Sequence, residues 1–108
     1  MKDIYVQKKN GPRILVIRGQ KAILDQDLAL LYRVTTVSLN QSVRRNPRRF
    51  PSRFVLVVTR KEVAILISQT VISSVGWGGS RKPPMAFTEQ GALMVTSVLN
   101  SARAISDE

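Results

Sequence analysis

Val37, Gln41 and Arg44 follow one another at four- and three-residue spacing, which places them on one side of a helix. An amide and a guanidinium a turn apart are chemically suited to base edges. The guanidinium fork matches guanine, the amide matches adenine, and a valine methyl can meet the thymine methyl. Thr35, Thr36 and Ser38 place hydroxyls around the start of the same helix, where they and the free N–H groups suit phosphate oxygens. Arg45, Arg48, Arg49 and Arg53, with Arg81 and Lys82 further on, add the cations that a polyanion backbone requires.

The elements that must position these groups lie in Asp25 to Arg49, a stretch that reads as two short helices and a tight turn. Asp25 has the type of an N-cap, and Asp27 complements the dipole of the first turn. Leu28, Leu31 and Tyr32 share one face beside the small Ala29, and the helix is expected to stop near Arg33. Arg33 stands where many such turns have glycine. Thr35 is the expected cap of the second helix, with Val34 and Leu39 as a hydrophobic staple. Leu39, Val43 and Asn46 then form the inner side, and Pro47 ends the helix. Two readings of the segment stay open on pattern alone: contact with DNA, or an αα-hairpin with a solvated basic face.

Charge favours the first. The chain has 108 residues and a net charge of +10, from 17 Lys and Arg against 7 Asp and Glu. From Leu28 to Lys61 there is no acid, and seven of the eight bases there are arginine. A surface kept soluble by charge mixes both signs, so this window points to an anionic partner. An anionic membrane is a poorer fit, because the bases lack a long amphipathic apolar face. The chain has no cysteine and no histidine, which removes disulfides and the commonest transition-metal ligands; neither metal nor cofactor is expected. There is no apolar run of membrane-spanning length and no secretion signal, so a cytoplasmic protein is expected.

Length without internal repeat implies one domain. Residues 1–12 are expected to be a flexible arm, because Met1–Asn10 is polar and Gly11-Pro12 interrupts it. Arg13–Arg18 and Lys21–Leu24 read as a hairpin turned at Gly19-Gln20, which would cover one side of the helix pair. Pro47 and Pro51 bracket Phe50, a core candidate, and turn Arg48 and Arg49 outward. Phe54–Val58 is apolar throughout, which predicts a strand covered on both faces. Thr59 and Glu62 have capping-box spacing, Val58 and Val63 the matching staple, and Val63, Leu66 and Ile67 a buried stripe.

Gln69–Pro84 reads as a loop in which Trp77, Arg81 and Lys82 form either a DNA-touching wing or a plain connector. Met85–Phe87 is a short strand leading to Thr88, an N-cap. Helix Glu89–Leu99 would present Leu93, Met94, Val95, Val98 and Leu99 and end at Asn100, with another helix starting at Ser101. Asp107-Glu108 oppose the dipole of that last helix. Residues 102–108 are therefore expected to lead into a further region, with 13–101 as the DNA-binding domain. The fold class is α+β, a small domain with short strands packed on its helices.

The ordered series Ile17-Arg18-Gly19-Gln20-Lys21, Leu24-Asp25, Asp27-Leu28-Ala29, Leu31-Tyr32, Leu39-Asn40, Arg49-Phe50-Pro51, Ala86-Phe87-Thr88-Glu89-Gln90-Gly91 and Ser97-Val98-Leu99-Asn100-Ser101 resembles the ORF-six N-terminal domain, a relative of the KilA-N domains of phages and bacteria. The resemblance runs from about Ile14 to Ile105. It implies a KilA-N-like α+β DNA-binding domain of a phage antirepressor or transcriptional regulator, followed by a variable C-terminal domain. It supplies no catalytic residues. The loop Gly76–Lys82 departs from the family, whose members are more basic near Gly-Gly. The partners implied are double-stranded DNA, a second copy in a homodimer, or a phage repressor protein. A metal-dependent nuclease built on Asp25, Asp27, Glu62 or Glu89 fits less well, because helix capping accounts for these acids. RNA fits less well than DNA for want of exposed aromatics.

Overall fold

A computed structural model describes residues 4–7, 13–69 and 84–106, with side chains described for 13–69 and 84–100. The strands are β1 (Ile4–Gln7), β2 (Ile14–Ile17), β3 (Gln20–Leu24), β4 (Val55–Val57) and β5 (Met85–Thr88). The helices are α1 (Asp25–Tyr32), α2 (Thr36–Arg44), α3 (Arg60–Ser68) and α4 (Glu89–Ser106), with a 3-10 turn at Pro47–Arg49. The architecture is mixed α+β. All strand pairs are antiparallel, in the order β1-β2-β3-β5-β4.

Alternation along the strands divides the core into two layers. Leu15, Ile17, Ala22, Leu24, Leu56 and Ala86 point to one side of the sheet, where Val63 and Leu66 of α3 join them. Phe87, with the half-buried Ile23 and Val55, points to the other side. There it meets Leu28 and Ala29 of α1, Leu39 and Val43 of α2, and Val95 and Leu99 of α4. Thus α3 covers one face of the sheet, and α1, α2 and α4 cover the other.

Local chemistry sets several boundaries as expected. Thr35 accepts from the Ser38 amide at 3.0 Å and caps α2. Thr59 and Glu62 form both bonds of the capping box that starts α3, with Val58 and Val63 both buried beside it. Thr88 accepts from the Gly91 amide at the start of α4. Phe50 is half-buried, its ring edge-on to Phe87 with centroids 6.2 Å apart.

Other expectations are corrected. Ile4–Gln7, assigned by sequence to a mobile arm, form β1, because β2 offers them an unpaired edge in register from Ile4↔Ile17 to Gln7↔Ile14. The hairpin turns at Arg18-Gly19 rather than Gly19-Gln20. Both residues have positive φ (52° and 78°), the requirement of the two-residue turn that matches strand twist. Asp25 does not cap α1 but is its first residue and is buried. Asp27 is also buried, its carboxylate accepting from Arg13 Nη2 at 2.8 Å and Nε at 3.2 Å. β4 is an edge strand and Val57 is 55% exposed, so it is not covered on both faces. Leu31 and Leu93 are exposed, while Ala29 is in the core. α4 runs through Asn100 without a break, since no glycine or proline there interrupts its hydrogen bonds.

Candidate nucleic-acid interface

The turn from α1 to α2 spans Arg33 to Thr35. Arg33 takes the left-handed conformation (φ 59°, ψ 41°) that ends α1, a position where glycine is the easier residue. The amides of Arg33 and Val34 close the turn on Leu30 and Ala29 oxygens at 3.2 and 3.0 Å. The chain therefore turns within three residues, and α2 packs against α1 through Leu39 and Val43.

Burying Leu39 and Val43 fixes which side of α2 faces out. Val37 is 74% exposed, and Ser38, Gln41, Arg44 and Arg45 are exposed with it. Thr35 is exposed, but its hydroxyl oxygen is already used as the cap; Thr36 is half-buried. Arg45 ends the helix through its amide on the Gln41 oxygen at 3.0 Å. Asn46 then donates from its side chain to the Ser42 oxygen at 2.8 Å. The 3-10 turn that follows keeps Arg48 and Arg49 exposed. Arg53 is exposed too, with its guanidinium carbon 5.2 Å from the centre of the Phe54 ring, a cation–π arrangement that limits its sweep.

Arg60 and Lys61, part of the same acid-free stretch, belong to α3 on the far side of the sheet and do not join this group. Arg81, Lys82 and Trp77 lie outside the described residues. Sequence reading missed Asn40 as a supporting residue. It lies on the inner flank of α2 and donates to the Asp25 carboxylate at 3.0 Å. Its place beside Leu39 gave a signal only of partial burial, and its partner is fifteen residues away.

The ORF6N domain model matches residues 12–98, most of the chain. The chain belongs to the ORF6N domain family. Comparison with curated proteins and with solved structures finds no match. Membership suggests a phage-type regulatory role for this ORF6N domain. Among the described residues, no helix is long and apolar enough to cross a membrane. No group of three His, Cys, Asp or Glu among them could hold a metal ion.

Proposed function

We propose that this ORF6N domain binds double-stranded DNA as part of a phage-type antirepressor or transcriptional regulator, with α1 and α2 acting as a helix-turn-helix. In this reading Gln41 and Arg44 meet base edges in the major groove and Val37 meets a thymine methyl. Thr35, Thr36 and Ser38 contact phosphate. Arg45, Arg48, Arg49 and Arg53, together with Arg81 and Lys82, contribute the salt-dependent backbone attraction. The reading assigns no catalytic role and needs no cofactor. The observation that carries it is the exposure of Val37, Gln41 and Arg44 on a helix whose opposite side is anchored by Leu39 and Val43.

Selection of bound duplexes from a random pool at near-physiological salt tests it. One enriched motif is expected, and its preference is expected to weaken in the Gln41→Ala, Arg44→Ala double variant. Failure to enrich any duplex, or an unchanged motif in the double variant, overturns the assignment.

A second reading is contact with a repressor protein. Leu30, 76% exposed on α1, favours it as an apolar contact. Salt separates the two: DNA affinity falls steeply as salt rises, whereas an apolar protein contact does not.

A further inference from the structure

We propose that the groove between α1, β3 and α4 seats a second copy of this chain, forming a two-fold dimer. The groove has a volume of about 340 Å³ and is lined chiefly by Ile23, Leu31, Phe87, Ala92 and Leu93, with Lys21 and Glu89 among its lining residues. Leu93 and Leu31 are 68% and 51% exposed. Each copy thus offers both an apolar trough and leucines able to fill one. A two-fold interface demands such self-complementarity, because the same patch serves both partners.

Charge selects the occupant. A chain of net charge +10 repels its own kind over most of its surface, so two copies can meet only where the charges balance. The groove meets that condition, with Lys21 and Glu89 as its charged lining residues, one of each sign. They are neighbours, one step beyond the Ala22↔Thr88 pair of β3 and β5. The ion pairs among the described residues are Arg13–Asp27 and Arg18–Glu62, so Lys21 and Glu89 are not paired with each other. Across a two-fold axis, Lys21 of each copy meets Glu89 of the other. Nucleic acid is a poor occupant of an apolar trough that bears a carboxylate, and a strongly acidic partner would find only one lysine there.

None of Val37, Ser38, Gln41, Arg44 or Arg45 lines the groove. The groove and the exposed side of α2 are therefore separate surfaces.

Sedimentation equilibrium of the chain without nucleic acid, from micromolar to hundreds of micromolar, tests the proposal independently of DNA binding. Reversible dimerisation is expected. Leu93→Lys is expected to weaken it at least about tenfold, while Ala64→Lys, exposed on α3 at the other face of the sheet, leaves it unchanged. Lys21→Glu and Glu89→Lys each weaken association, and the double exchange restores it. Circular dichroism confirms that each variant is folded. A monomer at every concentration overturns the proposal. So does a folded Leu93→Lys variant that dimerises as well as the parent, or a double exchange that fails to restore association.

Discussion

The buried carboxylate of Asp25 and the side-chain amide of Asn40 meet at 3.0 Å, joining the first turn of α1 to the inner flank of α2. The same carboxylate oxygen accepts from the Met85 amide at 3.3 Å, and the other oxygen accepts from the Gln26 amide at 2.7 Å. One acidic side chain therefore ties together α1, α2 and the start of β5. A buried carboxylate without a cation depends on such N–H donors for its stability.

Replacing Asn40 by Ala removes one of those donors and is expected to cost about 1–3 kcal/mol, measured by urea unfolding. Asn40→Asp is expected to cost more than Asn40→Ala at neutral pH, because two carboxylates would face each other where an amide now donates. An Asn40→Asp variant as stable as Asn40→Ala would show that the contact with the Asp25 carboxylate does not matter for stability.

Gly91 sits where the first turn of α4 crosses the Phe54 carbonyl. A Cβ there would lie 2.1 Å from that oxygen and 3.0 Å from its carbon. The Phe54 oxygen cannot move aside easily, because it accepts from the Thr88 amide at 3.0 Å and the Thr88 hydroxyl at 3.2 Å. Alanine gains about 1 kcal/mol of helix propensity over glycine, while overpacking costs about 1–3 kcal/mol and sometimes more. With a backbone clash this short the second effect wins. Gly91→Ala is expected to lower the Tm, and a raised Tm would contradict the close approach.

Arg18 clasps Glu62 through two nitrogens, at 2.7 and 2.9 Å, and also donates to the Val57 oxygen at 2.8 Å. The hydrogen bond from Arg18 is the main reason the Glu62 carboxyl is held below its usual range, with the Thr59 amide adding to it. A depressed carboxyl contributes stability above its unfolded pKa and loses it as pH falls through the lower folded value. The loss therefore falls below about pH 4, the ordinary glutamate range. Glu62→Gln is expected to be less stable at neutral pH and to show a shallower acid decline, followed by thermal melts against pH.

If α2 enters the major groove, its basic neighbours should separate by kind. Arg44→Ala is expected to relax preference at one position by about 1–3 kcal/mol. Arg48→Ala and Arg49→Ala should weaken all duplexes alike, each reducing the slope of log K against log salt by about 0.9. Fluorescence anisotropy with matched and mutated duplexes at several salt concentrations checks both.

What could be read from sequence was local. Thr35, Thr59 and Thr88 declare helix starts because a cap and its amide lie three residues apart, and the outward side of α2 follows from Leu39 and Val43 alone. What could not be read depends on distant neighbours. Ile4–Gln7 become a strand only because β2 has an edge to pair with. Asp25 has the type of a cap, yet its partners include Asn40 and Met85. Periodicity placed Leu31 and Leu93 inward with their neighbours. The structure resolves adjacent positions that a helical wheel blurs, burying Ala29 and Val95 and leaving both leucines out.

β5 stands between β3 and β4, yet it follows both in the chain. During synthesis, then, the hairpin and the first two helices emerge well before the strand that supplies Phe87 as their floor. A nascent chain that has not yet delivered Thr88 has no strand to join β4 to β1-β2-β3. Folding is expected to be a late, single event gated by loop closure, and a gene fragment stopping short of Met85 should yield a chain that proteases degrade.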